Sequence, residues 1–169
     1  MPVEDVLNQV KQGHACGDVG VSLVGGEPLA QPEACAELCI VLREMGIHVV
    51  VYSGLAYEDI ASLVPVIPAF QSILNHADVL VDGPFIRGEY DTRVAYRGSR
   101  NQRVIDLRMT QAHGHIVTLS REWDHWQTIT IKPGGSLMTS VLLARVFAGR
   151  RSHARNCGQA SQLPVAREE

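Results

Sequence analysis

The chain reads as an α/β fold built on a parallel sheet, and three observations carry that expectation. Short Val-rich runs at Val19–Val24, Ile47–Tyr52 and Asp78–Asp82 have the near-continuous apolar character of strands buried on both faces. Helical patterns separate them, at Pro32–Met45, Glu58–Leu63 and Ala69–Asn75. The joints between these pieces are short, and strand–helix–strand units with short joints make right-handed crossovers and parallel neighbours.

In chain order, Val3 to Gln12 comes first. Val3, Val6, Leu7 and Val10 stand at helical spacing, and Gly13 is expected just beyond the end. The strand at Val19–Val24 is stopped by Gly25-Gly26, two residues free to take positive φ and to let a ligand approach the main chain. Pro32 then falls at the first position of a helix, where its missing N–H costs nothing. Ala34, Leu38, Val41, Leu42 and Met45 give that helix its apolar stripe, and Gly46 suits the C′ position. The second strand ends in Ser53-Gly54. Pro65 and Pro68 interrupt the next helical stretch, and the third strand ends at Asp82.

From Pro84 to Gly98 the texture turns polar, as in a long loop lying over the strand ends. Arg103–Leu107 reads as a fourth strand. Beyond Arg108 the expectations are coarser: strands at Ile116–Leu119 and Gln127–Ile131, a turn at Pro133-Gly134-Gly135, and a helix from Leu137 to Phe147. One α/β domain over residues 1–147 and a disordered, Arg- and Ser-rich tail over 148–169 complete the reading.

At 169 residues and 46% hydrophobic content the chain has enough for a real core, and with only 5% aromatic residues that core must be aliphatic. No apolar run approaches the roughly 20 residues that cross a bilayer, and Met1–Asp5 lacks the basic start of a signal peptide. A cytoplasmic location without a membrane partner is the default. Four cysteines, Cys16, Cys35, Cys39 and Cys157, are too few and scattered for a disulfide framework. Cys35 and Cys39 share a helix face and read as small core residues. Residues 1–82 hold 11 acids against Lys11 and Arg43, a net of −9, while residues 83–169 hold 13 bases against 7 acids, a net of +6. The basic half lacks enough interleaved aromatics for nucleic acid.

The groups able to do chemistry cluster at the carboxyl ends of the strands, where α/β folds place their ligands. Glu27 follows the glycine pair, and a carboxylate there can pair with an ammonium while free backbone groups of the turn bind polar atoms. Ser53 can hydrogen-bond a ligand or cap the helix that follows. Asp82 can reach a ribose or amino group, or bond nearby backbone amides such as that of Phe85. His113, His115 and His125, with Glu122 and Asp124, match no strong metal spacing. Neither a Ser-His-Asp or Cys-His arrangement nor a phosphate-cradling P-loop is legible.

Gly25-Gly26-Glu27-Pro28 resembles the GGEP motif of radical S-adenosylmethionine enzymes. Tyr52-Ser53-Gly54, Asp78 through Asp82-Gly83-Pro84-Phe85, and Arg97 through Arg103 extend the likeness to the small activases of glycyl radical enzymes. It is nearest to the activating proteins of anaerobic ribonucleotide reductase and covers roughly Val3 to Leu107. The resemblance implies an oxidoreductase on an incomplete (β/α) partial barrel, here missing its first strand. It implies S-adenosylmethionine cradled by Gly25, Gly26, Glu27, Pro28, Ser53 and Asp82. It also implies a [4Fe–4S] cluster that reductively cleaves the cofactor to a 5′-deoxyadenosyl radical, and a glycyl radical enzyme as the partner losing hydrogen. The family's Cys-xxx-Cys-xx-Cys motif is absent from this sequence, so the chain as given is expected to lack the cluster's ligands and to be inactive, with an amino-terminal truncation as one expected cause. Two other classes stay open: a non-catalytic relic acting as a binding or interaction module, and an unrelated α/β nucleotide-binding protein.

Overall fold

The computed structural model describes residues 2–15 and 20–119, together with the backbone of 130–131 and 137–138. Helix α1 spans Val3–Ala15, with Glu4 and Asp5 in its first turn and His14 in its last, a charge order that suits the helix dipole. It runs through Gly13, where the sequence suggested a stop; Leu7 is buried and Val3 and Val10 pack beside it. Strand β1 is Gly20–Leu23, and the chain then enters a 3₁₀ turn at Pro28–Ala30 that the sequence reading did not anticipate.

Helix α2 (Pro32–Glu44) starts on its proline and closes as expected at Gly46. Gly46 takes φ 73° and donates to the Arg43 carbonyl, while the Ile47 N–H reaches Leu42 O at 2.9 Å. That pair of bonds satisfies the last carbonyls of the helix and aims the chain straight into β2 (His48–Tyr52). Its innermost line is Cys35, Ala36, Cys39 and Leu42, flanked by Leu38, Val41 and Met45. Ala34, placed on the stripe by its spacing, is only half-buried.

Helices α3 (Tyr57–Leu63) and α4 (Ala69–His76) lead to β3 (Val79–Asp82), all four residues of which are buried. Strand β4 is Arg103–Asp106. The sheet order is β1-β2-β3-β4, open rather than closed into a barrel. β1, β2 and β3 are parallel, but β4 runs antiparallel to β3, with Asp82 opposite Arg103. The parallel sheet expected of the first three strands is present, and β4 joins it antiparallel. The 83–102 connection makes no helical crossover, so it returns the chain at the end of β3 it left.

Side chains alternate across the sheet. Val49, Val51, Leu80 and Ile105 join residues of all five helices in one core, while Val50, Val79, Val81 and Val104 form a smaller cluster on the opposite face with Tyr52, Tyr96 and Leu119. The fifth helix, α5 (Leu107–His113), was missed by the sequence reading. Asp106 caps it by accepting the Met109 N–H at 2.9 Å. The Ile116–Leu119 stretch lies antiparallel along β4 through the Val117 and Leu119 backbones, as a single bridge at Thr118 rather than a full strand.

Strands β5 (Thr130–Ile131) and β6 (Leu137–Met138) pair antiparallel. Leu137–Met138 is therefore strand at the point where a helix was expected, because a short apolar run has no period that separates the two. The remainder of that expected helix, the turn at 133–135 and the tail over 148–169 lie outside the described residues. Among the described residues no helix is long and apolar enough to cross a membrane.

Candidate ligand-binding site at the carboxyl ends of the strands

The exits of β1, β2 and β3 meet at one end of the sheet. Leaving β1, Val24 is exposed, and Gly25 and Gly26 follow with φ of 92° and 55°. A Cβ on either glycine would meet nothing within 4 Å, so backbone conformation rather than crowding requires them. The turn consequently presents its main chain to open space.

Glu27 is extended and half-buried, and its carboxylate joins two turns. Oε1 accepts from Leu29 N at 3.0 Å, capping the 3₁₀ turn, and Oε2 accepts from Gly54 N at 2.8 Å. A carboxylate has about four lone-pair sites, so acceptor capacity remains on both oxygens. Pro28 follows as the first residue of the 3₁₀ turn and is half-buried.

Ser53 is buried, and its Oγ accepts from Leu55 N at 3.0 Å, a local turn rather than a cap on α3, whose N-cap residue is Ala56. The β2 and β3 exits are stitched together by Ser53 N to Val81 O at 2.9 Å and Gly83 N to Leu55 O at 3.1 Å.

Asp82 is 1% exposed. Its carboxylate accepts the Tyr57 N–H at 2.7 Å, at the start of α3, and takes both Nε (3.0 Å) and Nη2 of Arg103. Tyr57 occupies the place in which the sequence reading put the Phe85 amide. Arg103 also reaches Glu58 through bonds of 3.0 and 2.7 Å, which hold the Glu58 carboxyl down at about 2. A buried carboxylate, a planar guanidinium and a rim carboxylate thus bind β3, β4 and α3 into one rigid corner. Sequence reasoning named Arg103 only within a motif and as the start of a strand, and Glu58 only as the start of a helix. The available signal was opposite charge at the ends of two apolar strands.

The 83–102 loop is built just as tightly. The Gln102 side chain donates to Gly83 O at 3.0 Å and accepts from Gly98 N and Ser99 N, while Asn101 Nδ2 donates to Pro84 O at 2.7 Å. Asp91 clamps Arg93 and Arg100 at 2.9 and 2.7 Å, and those cations hold its carboxyl far below the ordinary range.

Among the described residues no cluster of three or more His, Cys, Asp or Glu side chains could hold a metal ion. Cys35 and Cys39 are free, buried thiols on α2; the bond to Cys35, and then burial, push the Cys39 thiol strongly up, toward the protonated form. His113 and His115 have ring centroids 5.7 Å apart, and His125, Cys16 and Cys157 lie outside the described residues.

The sheet is open and mostly parallel, and at the carboxyl ends of its strands, where α/β folds place their ligands, lie glycine turns, a carboxylate and exposed main chain. Residues 3–105, more than half of the chain, match the family described as the 4Fe-4S single cluster domain, and the chain belongs to that family. Among curated proteins and solved structures none matches. The family is an iron–sulfur one and implies a [4Fe–4S] cluster. The described donor set does not fit that group, because a cluster held by thiolates needs several converging on it, and the described residues offer only Cys35 and Cys39, both buried in the core packing of α2.

Proposed function

We propose that the carboxyl-end turns bind S-adenosylmethionine and that the chain is a radical S-adenosylmethionine protein of the glycyl-radical activase type. The observation that carries this reading is the Gly25-Gly26-Glu27-Pro28 turn itself. Both glycines hold positive φ with free space around them, and a half-buried carboxylate beside them keeps acceptor capacity. In the assignment, the exposed main chain of Gly25 and Gly26 binds the carboxylate and amino ends of the methionine moiety, and Glu27 takes the ammonium. Ser53 offers its O–H at the mouth of β2. Asp82, buried and held by Tyr57 N and Arg103, contributes by fixing the corner rather than by touching the ligand. The described residues supply binding and orientation; no cleavage step is assigned to them, since their thiols do not suit the cluster. A glycyl radical enzyme is the proposed partner.

Calorimetry with S-adenosylmethionine tests the reading. Glu27→Ala removes a charge-assisted bond of about 1.5–3 kcal/mol, and affinity is expected to fall accordingly. Gly26→Val blocks both positive φ and backbone approach, and weakens binding at least as much. Unchanged affinity in both variants, with normal circular dichroism, removes the cofactor from this turn. Adenosine binding as tightly as S-adenosylmethionine would favour a nucleotide-binding protein instead.

A further inference from the structure

We propose that the loop over residues 84–100 is a docking surface for an acidic, partly apolar polypeptide segment of a partner protein. The inference goes beyond the cofactor assignment and stands without it.

Every residue from Pro84 to Tyr90 is exposed. Within that stretch Phe85 is 56% exposed, Ile86 40% and Tyr90 62%, with the two rings edge to face at 6.2 Å. Leaving three large apolar side chains in water within six residues is costly, and such concentrations mark interaction surfaces. The loop is nevertheless not slack. The fully buried Ser99 accepts the Ile86 N–H at 3.1 Å, Tyr90 bridges to Ser99, and Arg100 N donates to Glu89 O at 3.0 Å. Beneath the Phe85 ring lies Gly98, where an added Cβ would stand 3.0 Å from Phe85 Cδ2. The apolar trio is therefore held in a fixed outward pose, and a prebuilt surface binds without first having to order itself.

Charge selects the occupant. Arg87, Arg93, Arg97 and Arg100 lie in the same loop as the trio, against Glu89 and Asp91. Asp91 is itself covered by Arg93 and Arg100, its side chain 9% exposed while each arginine is 60% exposed, so solvent meets cations. Arg87 has no side-chain partner among the described residues. Aromatic and arginine side chains together are the composition of interface hot spots. The complement is acidic. Residues 120–169 of the same chain, with seven bases and four acids, carry the same sign as the loop and do not supply it. A nucleic acid fits less well, because residues 1–82 surround the loop's sheet with a net charge of −9.

The test uses the full chain and two short fluorescein-labelled peptides, one alternating Glu with Leu and the other Lys with Leu, read by fluorescence anisotropy. The Glu–Leu peptide is expected to bind and the Lys–Leu peptide not to. Phe85→Ala with Tyr90→Ala should weaken binding about tenfold or more, and Arg87→Glu should weaken it and flatten its salt dependence. All these side chains are exposed, so an unchanged melting transition and unchanged S-adenosylmethionine affinity show that fold and cofactor site are intact. Equal affinity for both peptides, no binding of the Glu–Leu peptide, or full affinity in the double variant overturns the proposal. Tighter binding of oligouridine would overturn it in favour of RNA. Self-association in sedimentation that the double variant abolishes would replace the partner by a second copy.

Discussion

At the amino end of β3, Asp78 accepts the Val49 N–H at 2.9 Å and meets Arg108 at 2.8 Å; at the carboxyl end, Asp82 accepts the Tyr57 N–H at 2.7 Å and meets Arg103. Each end of the central strand is thus tied by one aspartate to a neighbouring backbone and to an arginine arriving from β4 or α5. What surrounds the two ties differs. Around Asp78 the main chain is closed on itself, with Asp78 N bonded to Val49 O and Leu107 N to Asp78 O. Around Asp82 the β2 and β3 exits are bonded to each other and to Glu27, while the Gly25-Gly26 turn beside them presents its main chain to open space. That glycine turn is thus open at the rim of a corner that is itself fixed. Binding groups on a rigid support lose less freedom when a ligand arrives.

Removing each tie measures how unequal they are. Asp82→Ala leaves Arg103, one-third exposed, without its buried partner, and is expected to lower stability by about 3 kcal/mol in urea unfolding. Asp78→Ala should cost about 1.5 kcal/mol, because Arg108 is 53% exposed and can turn to water. A larger loss at Asp78 than at Asp82 would reverse the ranking of the two ends.

Acid sharpens the same contrast. His48, beside Asp78, has its imidazole pushed below its ordinary value by burial, which outweighs the raising influence of Asp78 and Asp106 and is reinforced by Arg108. Its folded form prefers to stay neutral, so its contribution is present above the unfolded value of about 6.5 and is lost as pH falls below it. Stability should decline from pH 7 toward pH 5, and His48→Gln should flatten that window. Glu58, at the other end, is depressed to about 2 by Arg103; its contribution is present above its ordinary value of 4.5 and fades only as pH falls toward 2. The amino end therefore loosens first on acidification. The smallest effect belongs to Glu58→Gln at neutral pH, about 0.5 kcal/mol, because that carboxylate is 58% exposed and screened by water.

The elements legible in the sequence were those whose signals are local. Proline at the start of α2 and glycine at its end bracket the helix within one residue, and the Val-rich runs of β2 and β3 could only be buried strands. The glycine turn was legible because paired glycines after an apolar run are the usual mark of positive φ, and both take it. The orientation of β4 was not, since an apolar strand carries no mark of its direction; the uncrossed 83–102 connection set it. Helix α5 was hidden because it follows β4 without a break, so that Leu107, its first residue, read as the end of the strand. Tertiary structure alone decided the partners of the candidate site: Glu27 reaches across 27 residues to Gly54, and Asp82 across 21 to Arg103. Residue types fix what a side chain is able to bond. Sheet register fixes which groups come within 3 Å of it, and register is a property of the packed sheet, which spacing along the chain does not encode.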